Sequence, residues 1–298
     1  MKKALKWAGI ALGAMAGLVA VALVAVYFVS QAKIQRAYAT PSETIASAPD
    51  SATLDRGRHL VTSVNACIGC HGPALAGNQM IDAPVFATVA ASNLTSGRGG
   101  VASRYTDSLW ERAIRHGINA EGRSIAIMPA SHYNRMSDDD VRAIIAYVKS
   151  VPPVDNELKP FSAGPISRAL TVSGAPFFHA ALIQHDAPHR AAPPAGVTPE
   201  YGEYLVAVAA CRECHGPNLS GGPTPEGSKV ASNLTPTGLA AYTEASFMTA
   251  LREGKRPGGA PIDTVMPWRE YRGMTDEELK AVWAYLRTVP PKAMGARD

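Results

Sequence analysis

All four cysteines of this 298-residue chain fall in two copies of one five-residue pattern, Cys67-Ile68-Gly69-Cys70-His71 and Cys211-Arg212-Glu213-Cys214-His215. None is left over for a disulfide. Two thiols at this spacing at a helix start can each form a thioether to one of the two vinyl groups of haem, and the next residue offers its imidazole to the iron. A thioredoxin-type C-x-x-C needs a βαβ context and has no use for the histidine. A zinc site would need both copies brought together from far apart in the chain. The pattern therefore predicts two covalently attached haem c groups, on Cys67 and Cys70 and on Cys211 and Cys214, with His71 and His215 as iron ligands.

The landmarks around the motifs repeat as well. Gly57 and Leu60 precede the first motif as Gly202 and Leu205 precede the second, and Gly72-Pro73 and Gly216-Pro217 follow them. Ser92-Asn93-Leu94-Thr95 returns as Ser232-Asn233-Leu234-Thr235, Arg115 and Gly117 as Arg252 and Gly254, and Met128-Pro129 as Met266-Pro267. A duplication accounts for this order. Each copy predicts helices at 54–67, 106–117 and after the N-cap Ser137, or at 200–211, 243–254 and after the N-cap Thr275. Asp140 and Glu278 sit three residues past those caps, apolar residues follow at helical spacing, and Pro152-Pro153 and Pro290-Pro291 stop both helices. No β-alternating run competes, so the expected fold is all-α with loops around the cofactors. Residues 154–198 predict an ordered connector lying along both units. Its His179, His185 and His189 read as surface or packing residues rather than a metal site.

Between residues 8 and 29 there is no charged side chain. Such a run is long enough to cross a bilayer as a helix, and Lys2, Lys3 and Lys6 ahead of it favour the cytoplasmic side. Ala37-Tyr38-Ala39 offers a signal-peptide cleavage site, but the run exceeds the usual length of an h-region, and Lys33 and Arg36 intervene. The expectation is a retained anchor at 1–30, followed by a flexible tether at 31–52 that carries Pro41 and Pro49. The net charge of +4 resides in this N-terminal part; beyond residue 40 the chain has 24 basic and 25 acidic residues. That balance leaves no basic footprint for nucleic acid.

The two C-x-x-C-H motifs, with the landmarks around them, resemble the cytochrome c family, specifically its membrane-anchored two-haem members. The resemblance covers most of the chain after about residue 50. It implies tandem cytochrome c domains at 53–153 and 199–298 after an N-terminal transmembrane helix, with the haem domains on the periplasmic face of a bacterial inner membrane. The sixth ligand then decides the function. Met80 and Met248 have no counterpart in the other half and read as packing residues, while Met136 and Met274 precede N-caps and read as hydrophobic staples. Met128 and Met266 correspond, and each precedes a proline that holds the backbone extended, resembling the distal segment of cytochromes c. The expected iron ligands are His71 with Met128 and His215 with Met266.

Pro73 and Pro217 lie where a nearby carbonyl could fix the imidazole tautomer. Arg115, Arg252, Lys255 and Arg256 are candidates to pair with haem propionates, and Trp268 to line the second haem. The second half also resembles the cytochrome subunits of periplasmic sugar or alcohol dehydrogenases. This implies an electron carrier rather than an enzyme, taking electrons from a redox-protein donor and passing them to a respiratory acceptor. The alternative is a dihaem enzyme such as a peroxidase or a thiosulfate-oxidising cytochrome. It would need an open iron in one half, and the matching Met positions argue against that.

Overall fold

The computed structural model describes residues 2–41, 45, 50–175, 177–189, 191–224 and 229–296. The first element is the long helix α1 (Lys2–Ile34), long and apolar enough to cross a membrane by length and composition. Its side chains stay exposed along most of its length, as Leu5, Leu12 and Leu18 show, and its C-terminal turns pack on the rest of the chain.

The first half comprises α2 (Ser51–His59), which continues through a π-helical segment (Leu60–Val64), the motif helix α3 (Cys67–His71), β1 (Asn78–Ala83), β2 (Ala87–Ala91), α4 (Asp107–His116), α5 (Ala130–Tyr133) and α6 (Asp138–Ser150). The connector adds β3 (Ser162–Ala163), α7 (Pro165–Ser173) and a 3-10 turn (His179–Leu182). The second half repeats the plan with α8 (Pro199–Val208), α9 (Cys211–His215), β4 (Gly222–Pro223), β5 (Val230–Ala231), α10 (Glu244–Glu253), α11 (Trp268–Tyr271) and α12 (Asp276–Leu286).

The helix ends follow the sequence signals. Thr106 and Thr243 cap α4 and α10, and Gly117 and Gly254 close them in the left-handed region, at φ 63° and 67°. Ser137 caps α6, and Thr275 with Glu278 forms a full capping box on α12. The apolar faces of these last helices are buried, at Val141, Ile144, Ile145 and Val148 and at Leu279, Val282 and Leu286. Each last helix crosses the first helix of its own half at a glycine. A Cβ on Gly57 would lie 2.0 Å from the Ala143 carbonyl oxygen, and one on Gly202 would lie 2.0 Å from that of Ala281. The repeated glycines are thus the positions where two backbones touch.

The all-α expectation needs correcting. β1 and β2 form an antiparallel hairpin with a bulge between Gln79 and Ile81, β3 adds to β2, and β4 pairs with β5. These strands are short and poor in β-branched and aromatic residues, so the alternation that marks a strand is weak in them. Among the described residues the fold is mainly helical with two small sheets.

The tether also differs from the expectation. Helix α1 runs to Ile34, and Tyr38 N–H donates to the Gly122 carbonyl at 3.1 Å. Ile45 is buried in the core, and α2 already starts at Ser51 behind the cap Asp50; residues 42–44 and 46–49 lie outside the described residues. The end of α1 is fastened to α7 as well. Lys33 Nζ donates to the carbonyls of Thr171 and Val172 at the C-terminal end of α7, where a cation is favoured. Arg168 on α7 donates to Ser30 Oγ and Gln31 Oε1 and lies 4.5 Å over the Tyr27 ring.

The two halves share one apolar core. At their boundary the acidic residues three past the caps reach across. Tyr204 OH donates to Asp140 Oδ2 at 2.6 Å, and the duplicated position is His59, whose Nε2 bonds Glu278 Oε2 at 2.7 Å. Arg56 joins both sides, 2.8 Å from Asp140 and 3.4 Å from Glu278. For Glu278, burial acts to raise the carboxyl pKa, but the bond from His59 and the cap N–H outweigh it, leaving the group below the ordinary 4.5. A carboxyl depressed in the folded state stabilises the protein above its unfolded pKa and loses that contribution as pH falls through the folded value. Glu278→Gln is expected to cost about 2–4 kcal/mol at pH 7. Thermal unfolding should show this gap narrowing once the pH falls below 4.5.

Candidate haem sites

Both motif helices start from a residue in the left-handed region, Ala66 at φ 50° and Ala210 at φ 56°. This sharp entry turns the five-residue helix away from the preceding one. The chain leaves through Gly72 and Gly216, at φ 75° and 80°, and closes a loop in which Gly77 N–H donates to the His71 carbonyl and Gly221 N–H to that of His215. Leu75 and Leu219 plug these loops, fully buried, and each accepts a backbone bond from Leu94 or Leu234 at 2.8 Å.

That last contact brings the repeated Ser-Asn-Leu-Thr segment against the histidine. His71 Nδ1 lies 2.8 Å from the Ser92 carbonyl oxygen and His215 Nδ1 lies 2.7 Å from that of Ser232. A carbonyl only accepts, so each Nδ1 carries the proton and the Nε2 lone pair is presented for a metal. Burial keeps both rings from protonating, against the weaker opposing pull of these carbonyls. The tautomer is therefore fixed by Ser92 and Ser232, and this corrects the expectation that it would be fixed beside Pro73 and Pro217.

The segment is itself held. Asn93 Oδ1 accepts from Thr95 N and Oγ1, and its amide donates to the Val154 carbonyl at 2.8 Å; Asn233 does the same with Thr235 and with the Lys292 carbonyl at 2.7 Å. Asn and Thr thus tie each histidine's carbonyl partner to the chain just past the last helix of its half. These residues were visible in the sequence as a repeat, but spacing alone gave them no role.

In the second half a slot is lined by Cys211, Cys214, His215 and Met266, with Leu205, Phe247, Leu251 and Leu286 among its apolar walls. Its space of about 1050 Å³, part of it open to solvent, is of the size that takes a large flat ligand. An imidazole nitrogen, a thioether sulfur, paired thiols and apolar walls are the donor set and lining that haem c requires. In the first half, Cys67, Ile68, Leu94 and Met128 are partly buried against the same core. Before haem is attached, burial pushes the Cys67 and Cys211 thiols up to about 12, unlike those of a redox C-x-x-C.

The remaining candidates separate clearly. Met136 and Met274 are buried core residues, Met248 packs at the core edge, and Met80 is exposed on β1 rather than packed. Arg115 and Arg252 are engaged at the last helices instead. Arg115 donates to the Met136 carbonyl and Asp138, and Arg252 to the Arg272 carbonyl and Asp276, so each pins the start of the last helix in its half. Lys255 pairs with Glu253, while Arg256 lines the slot. Trp268 lies against Gly254, where an added Cβ would come within 2.4 Å of its ring.

The two sites are packed back to back. His132, on the helix that follows Met128-Pro129, bonds Glu213 inside the second motif at 2.7 Å, and His179 approaches the same carboxylate. Across the duplication, Glu270 on the helix after Met266-Pro267 lies beside Gly69, and its charge adds to the desolvation that raises the Cys70 thiol. Each motif therefore lies beside the helix that follows the Met-Pro segment of the other half. Sequence reasoning missed this, because neither His132 nor Glu270 has an equivalent of the same type in the other half.

Comparison with known proteins agrees with this geometry. Residues 199–290 match the family Cytochrome c, and residues 52–148 match Cytochrome C oxidase, cbb3-type, subunit III. Both halves are cytochrome c domains. The chain is 28% identical to the fructose dehydrogenase cytochrome subunit of Gluconobacter japonicus over 86% of its own length and 56% of the relative's. It is 28% identical to the alcohol dehydrogenase (quinone) cytochrome c subunit of Gluconacetobacter polyoxogenes over 81% of its own length and 57% of the relative's. A diheme cytochrome c-type protein of Cereibacter sphaeroides is 26% identical, with 75% of this chain and 82% of that one aligned. The chain thus spans a little over half the length of the two dehydrogenase subunits. Two cytochrome c domains with two intact C-x-x-C-H motifs carry two haem c groups.

Asn93→Ala removes buried hydrogen bonds and frees the carbonyl partner of His71. It is expected to destabilise the holoprotein by about 1–3 kcal/mol in denaturant unfolding, with the first haem perturbed and the second unchanged. Asn233→Ala should show the converse in absorption spectra of the two haems.

Proposed function

We propose that this chain is a membrane-tethered electron carrier in which His71 with Met128, and His215 with Met266, hold the two haem irons. The observation that carries this reading is the duplicated donor set: a histidine with its Nε2 lone pair presented, and a Met-Pro segment reached through equivalent loops. Haem supplies one-electron chemistry, and a methionine sulfur as sixth ligand raises the potential and closes the iron to substrates. The protein holds the imidazole, lines the slot with apolar side chains and supplies a cation at Arg256. Back-to-back packing of the motifs offers a short path between the two units, at 53–153 and 199–298.

Helix α1 serves in this reading as a retained single-pass anchor, with the haem domains on the periplasmic side of a bacterial inner membrane. Its attachment to α7 through Lys33 and Arg168 supports a set orientation of those domains at the bilayer rather than a loose leash. Confinement at the membrane raises the effective concentration of partners there. The likeness to dehydrogenase cytochrome subunits supports a dehydrogenase as donor, with a respiratory protein as acceptor.

Met128→Ala and Met266→Ala, produced in a host that attaches c-type haem, should each abolish the weak sulfur-to-iron charge-transfer band of one haem. The potential of that haem should fall by on the order of 0.1 V or more in redox titration. An unaltered band in either variant contradicts the assignment for that half. Replacement of residues 2–34 by a cleavable export signal should move the holoprotein from the membrane fraction to the soluble one while two haems per chain are retained; continued membrane association contradicts the anchor.

A further inference from the structure

Where α4, the segment after the anchor and the connector meet, three side chains converge that the haem sites do not use. They are Glu111 and His116 on α4 and His189 on the connector, and their ligand atoms all lie within 4.8 Å of one another. Glu111 and His116 are each 1% exposed, and Glu111 Oε1 and His116 Nε2 are buried without a hydrogen-bond partner. The duplicated positions, Met248 and Glu253, carry a different chemistry, so the cluster belongs to the first half alone.

The hydrogen bonds around His116 define what its ring presents. His185 Nε2 lies 3.1 Å from the Ala180 carbonyl oxygen, which only accepts, so the proton of a neutral His185 ring is on that nitrogen. His185 Nδ1 then accepts from His116 Nδ1 at 2.9 Å. The lone pair of a neutral His116 is thereby placed on Nε2, the atom facing Glu111 Oε1 at 3.5 Å. Two acceptors then face each other in a buried space with no hydrogen-bond donor between them among the described residues, an arrangement that favours a cation. Arg115 holds Nη1 3.8 Å from Glu111 Oε1, beyond hydrogen-bond reach, while its Nη2 donates to Asp138 and the Met136 carbonyl.

We propose that Glu111, His116 and His189 form a binding site for a divalent metal of the zinc class. Two ligands each about 2.1 Å from a tetrahedral zinc stand about 3.4 Å apart, which is the spacing of His116 Nε2 and Glu111 Oε1. His185 holds His116 through its other ring nitrogen, as metal-ligating histidines require. His189 is only partly buried and supplies both the third ligand and a route in from solvent. The bound ion would clip the connector to α4 and so fix the segment that joins the two haem units. This revises the expectation that His185 and His189 serve only as surface or packing residues.

The test uses the purified two-haem protein, stripped with a chelator, exchanged into buffer with a small molar excess of Zn2+ and desalted, with metals counted by mass spectrometry. The wild type is expected to retain one zinc per two irons and to gain thermal stability on binding. His189→Ala, which alters only a partly exposed side chain, should retain less than a tenth of that zinc with haem content and spectra unchanged. Glu111→Gln should lose zinc likewise if it folds. Wild-type protein that retains no zinc overturns the proposal and leaves an imidazolium–carboxylate pair at this place. Equal zinc retention by His189→Ala and the wild type overturns it too.

Discussion

The hydrogen bond from each motif histidine to the Ser92 or Ser232 carbonyl is the contact on which the architecture of each half depends. It sets which nitrogen can meet a metal, and it can exist only where a segment far along the chain lies against the motif. That segment is placed by the buried Leu75 or Leu219 loop on one side and by Asn93 or Asn233 on the other. The asparagines in turn bind the chain just beyond the helices that the double prolines end. A short motif with an αL entry residue thus becomes a rigid presentation of imidazole because the rest of the half is built around one carbonyl.

The same economy governs how the halves meet. Glu278 caps its own helix and with the same carboxylate receives His59 from the opposite half, while Asp140, whose N–H the Ser137 cap accepts, receives Tyr204. The boundary is continuous with the core, and the motif of each half rests against the Met-Pro side of the other through His132 with Glu213 and Glu270 with Cys70. Fixed relative placement of two redox centres is what sequential electron passage needs. Helix α1 is joined to this assembly, since Lys33, Arg168 and Tyr27 fasten it to α7.

Much of this was legible in the sequence because duplication made each half a control on the other. The haem motifs, the caps at Ser137 and Thr275, the glycine stops at Gly117 and Gly254, and the core placement of Met136 and Met274 all follow from local rules. The roles of Gly57 and Gly202 were hidden, because a repeated glycine announces a special backbone but not the helix that crosses it. The β1–β2 hairpin was hidden by its alanines and polar residues, which give no strand-like alternation. Arg115 and Arg252 were repeated for a structural reason, the pinning of the last helix, and their repetition alone could not separate that from a haem contact. The docking of residues 37–38 and 45 depends on tertiary partners such as Gly122, which no local pattern names.

The most direct test of the account is an experimental structure of the two-haem protein at a resolution that defines each iron's ligands, with the irons located by anomalous scattering. The account predicts two irons, each between a histidine Nε2 and a methionine sulfur. One lies between His71 and Met128, the other between His215 and Met266, with thioethers to all four cysteines. An iron whose sixth position is held by water, or by Met136 or Met274 drawn out of the core, would contradict it.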